Sequence, residues 1–373
     1  MTLRERIEQE IRQNGPIPFS RYMEMCLYEP GLGYYARSKE QFGKAGDFYT
    51  SSDVHAVFGR LLARQFEQMW RALDSPGCIE IVELGPGRGL FARDVLEWSR
   101  QKFPEFFRAL RYALVEASAA LRERLASTLQ EHITAGKAAV VGGVASNVST
   151  PTIIFANEFF DALPVEVLSN QGAMRVGGEA GRFVESFVSA SAAETEYLDR
   201  YSVHPEEGER VEAGLEAQRW MARIAAAVPR GFVVIIDYGY TREELLAGRH
   251  RDTLMCYRQH SASENPYEAP GEQDITAHVN FTALRAAGEQ AGLACLGLVT
   301  QAQFLMGIGE ETQFSDAFED AHLPQERAKR ALQLKHLVTP SGMGETFHVL
   351  VMSKGVEREK TAGIRGLKFV SRS

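Results

Sequence analysis

With 373 residues and 45% hydrophobic content, the chain can bury a large core, as one big domain with additions or as two domains. A formal net charge of −8 speaks against a long nucleic acid held through general phosphate contacts, and no apolar run approaches the length of a membrane span. Cys26, Cys78, Cys256 and Cys295 form no C-x-x-C and the histidines no H-x-x-x-H pair, so a reduced, cytoplasmic chain without a metal site is expected.

The N-terminus mixes Arg4, Arg6 and Arg12 with Glu5, Glu8 and Glu10. It reads as an amphipathic helix over 3–13 that stops at Asn14-Gly15-Pro16, with neither the apolar core of a signal peptide nor the acid-poor character of a transit peptide. A second helix over 19–27 gives way to Tyr28-Glu29-Pro30-Gly31-Leu32-Gly33-Tyr34-Tyr35, too rich in Gly, Pro and Tyr to continue it. The polar cluster of the loop 43–52 is placed to cap a helix over 54–71.

Strands are then expected at 78–84, 111–116, 138–141, 151–156 and 231–237, with helices at 90–101 and 119–130 between the early ones. A helix at 281–291 and strands at 294–300 and 346–352 complete seven strands. Such alternation implies an α/β, doubly wound and mainly parallel sheet with helices on both faces. Two insertions interrupt it. The first, 165–210, alternates apolar and polar residues around Gly177-Gly178 and Gly181 and reads as hairpins rather than helix. The second, 240–280, shows no structure of its own and is expected to be functional or disordered. Residues 1–60 read as an N-terminal helical and loop cap on a domain over 61–373.

The most informative stretch is Ile81-Val82-Glu83-Leu84-Gly85-Pro86-Gly87-Arg88-Gly89-Leu90. A strand ending in an acid runs into glycines at alternate positions and then into a helix, the start of a nucleotide-type site. A pyrophosphate loop reads G-x-G-x-x-G, whereas here the third glycine comes one residue early. The form E-x-G-x-G-x-G resembles the first motif of S-adenosylmethionine (SAM) methyltransferases, in which Gly85, Gly87 and Gly89 would approach the cofactor. Glu83 would either meet the cofactor's ammonium or brace the loop by accepting backbone N–H bonds.

Ligands of open α/β sheets sit beyond the carboxyl ends of the strands, and acids cluster there. Glu116, closing the second strand, is the expected acceptor for two ribose hydroxyls, its plainer role being a helix N-terminal acid. Asn157-Glu158-Phe159-Phe160-Asp161-Ala162-Leu163-Pro164 follows the fourth strand. Asn157, Glu158 and Asp161 are the catalytic candidates there, because acids at a strand end are costly unless paired or used. Asp161 has a second possible role, as cap of a following helix. One of the two phenylalanines is expected to be core, Arg88 a loop residue, and His55, His278 and Asp237 satisfied polar groups.

Taken together, Gly46-Asp47-Phe48-Tyr49-Thr50-Ser51 with Phe58-Gly59, the glycine loop, the Asn157 motif and Asp237-Tyr238-Gly239 resemble the MidA family of SAM-dependent methyltransferases. Asp274-Ile275-Thr276-Ala277-His278-Val279-Asn280-Phe281 and Gln303-Phe304-Leu305-Met306-Gly307-Ile308-Gly309 extend the resemblance, which covers about 11–352. It implies a Rossmann-like SAM methyltransferase sheet with the cap and insertions above, SAM as cofactor, and cofactor contacts from Asp47, Thr50 and Asn157 as well as the loop. The family includes a mitochondrial complex I assembly factor described as a protein arginine methyltransferase, so the implied partner is a protein whose arginine is methylated. Two alternatives stay open: methylation of a small molecule or RNA base, and a SAM-binding assembly factor with little turnover.

Overall fold

The computed structural model describes residues 1–37, 56–144, 149–248, 251–258 and 261–369. The chain divides into two compact units. A sheet unit comprises Tyr49–Glu158, Ala222–Tyr238 and Gly288–Ser373, and an insertion unit comprises Met1–Phe48, Phe159–Met221 and Gly239–Ala287.

The sheet unit is built on Ile79–Leu84 (β1), Leu110–Val115 (β2), Ala138–Val141 (β3), Thr152–Asn157 (β4), Gly231–Tyr240 (β5), Ala294–Thr300 (β6) and Phe347–Lys354 (β7). Their order across the sheet is 6-7-5-4-1-2-3. Strands β1 to β5 are mutually parallel where they pair, and β7 runs antiparallel to both β5 and β6. Each expected strand is present to within three residues at either end. They were legible because strands covered on both faces must be apolar throughout: every residue of β4 and all but one of β5 are buried.

Helices 56–72 and 90–102 pack together on one face. An added Cβ at Gly59 would lie 2.8 Å from the Asp94 Cβ, so the Phe58-Gly59 pair brings two helices into close contact. Beneath them Phe91 stacks on Phe155 with ring centroids 4.4 Å apart, and Phe66 meets Phe155 edge-on at 5.6 Å. Each such buried aromatic contributes roughly 1.5–3 kcal/mol through burial alone. Short helices Pro104–Ala109 and Gln130–Thr134, which sequence periodicity did not reveal, lead into β2 and toward β3.

In the insertion unit, Thr2 caps the helix Leu3–Asn14. Its hydroxyl accepts from the Glu5 N–H at 3.3 Å while the Glu5 carboxylate accepts from the Thr2 N–H at 2.8 Å. Strand Gly172–Glu179 pairs antiparallel with Ile17–Pro18, Glu166–Ser169 and Arg182–Val188, and Glu166–Ser169 pairs with Val211–Ala213. Ile7, Phe19, Tyr22, Met23, Met174 and Val176 fill the core between helices and sheet.

The hairpin expectation therefore holds over 166–188, but a helix, Ala192–Tyr201, follows inside the first insertion. Its signal was present as a capping box, Ser191 with Glu194. Helix Leu215–Ala227 also went unread. The second insertion is ordered over its described residues: helix Arg242–Leu246 precedes an antiparallel sheet of Met255–Arg258 between Ser261–Ser263 and Asp274–Thr276. These strands are three or four residues long, too short to show a period in sequence.

Candidate active site

Strand order reverses between β1 and β4, the switch point where open α/β sheets bind ligands. β1 ends there in the glycine loop. Gly85, Gly87 and Gly89 adopt φ of 62°, 51° and 75°, a conformation that side chains resist. The Gly85 N–H donates to the Val115 carbonyl at 3.2 Å, tying the loop to the end of β2, and the Gly89 N–H donates to the Pro86 carbonyl at 2.8 Å. Among the described residues, a Cβ on Gly87 would meet no atom within 4 Å. That glycine is set by backbone conformation and by what approaches from outside. Gly89 is the N-cap of helix Leu90–Lys102 and no side chain caps it.

Glu83 is 5% exposed, and its carboxylate accepts from the Tyr112 hydroxyl at 2.9 Å. Among the described residues that is its one hydrogen-bond donor, so of the two sequence expectations the loop-bracing one fails: no glycine-loop N–H reaches it. Burial pushes its pKa up to about 8, with the Tyr112 hydrogen bond acting the other way. Glu116 follows the end of β2, with Oε1 accepting from the Ser118 N–H at 2.7 Å. Burial raises its pKa, opposed by that backbone hydrogen bond. The Arg122 guanidinium holds the same turn by donating to the carbonyls of Glu116 and Ala117 at 2.9 and 2.6 Å.

Asn157 ends β4 and Glu158 follows with φ of 51°, a left-handed conformation rare outside glycine and often retained at functional sites. The Asn157 amide donates to Glu158 Oε1 at 3.0 Å, and the Glu158 N–H donates to the Ile236 carbonyl on β5 at 3.0 Å. The sheet unit thus brings the glycine loop, Glu116, Asn157 and Glu158 to one edge through the β1–β2, β1–β4 and β4–β5 pairings.

Asp161 belongs to the insertion unit. It is followed by turns and then by strand Glu166–Ser169, so the helix-cap role is ruled out. Its carbonyl accepts from the Ala277 N–H at 2.9 Å. Tyrosines missed by sequence reasoning surround it. Tyr28 donates its hydroxyl to the Ala162 carbonyl at 2.8 Å and stacks on Tyr35, while Tyr35 donates to Asp274 Oδ1 at 2.9 Å. Burial, then the negative charges of Asp274 and Asp161, raise the pKa of both Tyr35 and Tyr257 and keep their hydroxyls protonated. Asp47, Thr50 and His55 lie outside the described residues. Asp237 is fully buried and accepts from the Tyr238 N–H, as expected of a satisfied polar group. Arg88 is exposed.

Comparison with known proteins shows the family of the chain. A family model described as "Putative S-adenosyl-L-methionine-dependent methyltransferase" matches residues 61–299. The chain belongs to this family. It is similar to the mitochondrial protein arginine methyltransferase NDUFAF7 homolog of Drosophila melanogaster, 31% identical across 95% of this chain and 85% of the relative. To the Homo sapiens protein arginine methyltransferase NDUFAF7, mitochondrial, it is 29% identical across 92% of this chain and 81% of the relative. A crystal structure of a "likely methyl transferase" from Burkholderia thailandensis bound to S-adenosyl-homocysteine superposes with a TM-score of 0.81. It is 31% identical, over 95% of this chain and 92% of that one.

The family resemblance read in the sequence, the doubly wound fold, the methyltransferase activity and SAM as cofactor are thereby established. The residues present fit the cofactor. The loop's positive φ values and the open space at Gly87 leave room for close backbone approach, and a carboxylate follows the next strand at Glu116. Among the described residues no group of three metal-ligating side chains occurs, and no helix is long and apolar enough to cross a membrane.

Proposed function

We propose that this methyltransferase acts on an arginine of a protein substrate. The observation that carries the reading is the likeness to named protein arginine methyltransferases over at least 92% of the chain. The chemistry of the candidate residues supports it. A guanidinium stays protonated near pH 7 and is best held by carboxylates and aromatic faces. Glu158 and Asp161 supply carboxylates, and Asp161 has Tyr28 and Tyr35 about it.

SAM, when bound, supplies a methyl group for in-line displacement at carbon. This chain's residues do the holding. Gly85, Gly87 and Gly89 admit the cofactor to the backbone, Glu116 accepts its ribose hydroxyls, and Glu83 and Asn157 complete its surroundings, with Asp47 and Thr50 added by family resemblance. Glu158, in the sheet unit, pairs with the acceptor, keeps one nitrogen aimed at carbon, and offers a carboxylate oxygen to the proton that nitrogen must lose; Asp161 is a second carboxylate candidate, in the insertion unit. In this reading the chain works in the cytoplasm, in keeping with four cysteines that form no C-x-x-C.

Mass spectrometry of arginine methylation in cells with and without this chain tests the proposal. A methylarginine on a protein that disappears with the chain is expected. Label from radioactive SAM found only in RNA or small molecules, or SAM binding without turnover, would overturn it.

A further inference from the structure

The insertion unit contains a narrow cleft that the proposed chemistry does not use. Phe160, Leu163, Pro164, Val165 and Leu284 give it apolar walls, and Glu212, Gln218 and His278 are among the polar residues that line it. Glu212 is the informative one. It lies on strand Val211–Ala213, is 3% exposed, and accepts from the Thr253 N–H at 3.1 Å and the Thr253 hydroxyl at 2.9 Å. The His278 N–H donates in turn to the Thr253 hydroxyl oxygen at 3.0 Å, so the carboxylate is held in place.

No cation among the described residues pairs with Glu212. Burial pushes its pKa up to about 7, and the charge that acts on it, Asp252, is of like sign. A buried carboxylate without a counter-charge is costly, and a cation entering beside it would offset that cost. The neighbouring Gln218 side-chain amide makes no hydrogen bond among the described residues, so its carbonyl oxygen is a second acceptor. Asn280, by contrast, is committed on both sides, to the Tyr201 carbonyl and the Ala283 N–H.

We propose that this cleft is a binding slot for a guanidinium side chain of the protein substrate, held by Glu212 and Gln218. The inference rests on the protein-substrate reading above and adds to it a recognition contact. A planar guanidinium is thin enough for a narrow apolar slot and carries several N–H donors for a carboxylate and an amide oxygen. A compact, strongly hydrated ammonium meets neither condition as well.

The test uses the full chain and three small probes: methylguanidinium, methylammonium and N-methylurea, the last a neutral molecule of nearly the same shape. Calorimetric titration should show methylguanidinium binding to the wild type and to Glu158→Gln, with methylammonium and N-methylurea at least tenfold weaker. Glu212→Gln should weaken methylguanidinium at least tenfold with an unchanged or raised melting temperature. Gln218→Leu, at a half-buried side chain with no bond to lose, should weaken it severalfold and guards against a folding failure of the first variant.

Equal binding to wild type, Glu212→Gln and Gln218→Leu would overturn the slot, as would equal affinity for the three probes. Failure of the arginine reading is seen separately. Methylarginine that depends on the chain, with no Glu212-dependent probe binding, removes the slot alone; Glu212-dependent binding with no methylarginine removes the arginine acceptor alone.

Discussion

Glu83 and Glu212 are two buried carboxylates in the same electrical predicament and in different surroundings. Each accepts hydrogen bonds from neutral groups, Tyr112 for one and Thr253 for the other, and among the described residues neither pairs with a cation. Burial raises both, to about 8 and about 7. Glu83 sits inside a parallel sheet, two residues before the first glycine of a loop that announces a ligand. Glu212 sits on a three-residue strand in an insertion, and nothing near it in sequence marks it. A motif can therefore flag a buried charge only when the backbone next to it is also specialised.

The glycine-loop side of this comparison is broken most completely by Gly87→Val. The substitution puts a β-branched residue at a φ of 51° and a side chain where the cofactor's approach is otherwise open. SAM binding by calorimetry should be lost, while circular dichroism should show a folded protein because no atom of the described residues is displaced. Retained SAM affinity would mean the loop does not meet the cofactor.

Glu158→Gln comes next. It keeps the side chain's size but removes the charge proposed to fix the guanidinium, so turnover should fall roughly a hundredfold with SAM affinity nearly unchanged. Full turnover would remove Glu158 from the mechanism. Glu116→Ala should weaken SAM by about 10- to 150-fold. The figure corresponds to about 1.5–3 kcal/mol for charge-assisted hydrogen bonds, given that one carboxylate oxygen already serves Ser118. A change below about threefold would leave Glu116 as a turn residue only.

The sharpest test of the comparison itself is pH. A carboxylate whose pKa is higher folded than unfolded keeps its proton in the folded state while the unfolded chain has lost it. Stability then falls as pH rises from the ordinary carboxylate value toward the folded one. For Glu83 the window runs from about 4.5 to about 8, and for Glu212 from about 4.5 to about 7. In the ligand-free protein, Glu83→Gln and Glu212→Gln should each flatten the decline of melting temperature with pH. Saturating SAM should oppose the Glu83 decline, and methylguanidinium the Glu212 one. Melting curves unchanged in slope would show these groups to be solvated. The smallest effect is remote from both: Thr2→Ala removes a helix cap and should cost about 1 kcal/mol of stability without touching SAM binding.

How far the sequence could be read follows from the same physics. The central strands of the sheet and the glycine loop were legible because parallel strands buried on both faces must be continuously apolar, and because a ligand-approaching turn admits little but glycine. Helix Ala192–Tyr201 was legible in principle through Ser191 and Glu194, and was masked by the alternating hairpin residues before it. Glu158 was named from its position, but its left-handed backbone could not be, since nothing in a glutamate forecasts φ of 51°.

By itself the sequence determined the doubly wound sheet, the E-x-G-x-G-x-G turn at the end of β1 and the family to which these belong. All three rest on local rules: burial period, backbone freedom at glycine, and acids at strand ends. Only the tertiary structure decided that Tyr112 holds the Glu83 carboxylate, that Tyr28 and Tyr35 gather near Asp161, and that Thr253 reaches across 41 positions to fix Glu212 in a cleft. Those pairings join residues distant along the chain, and their energies depend on burial and distance, which no stretch of sequence contains.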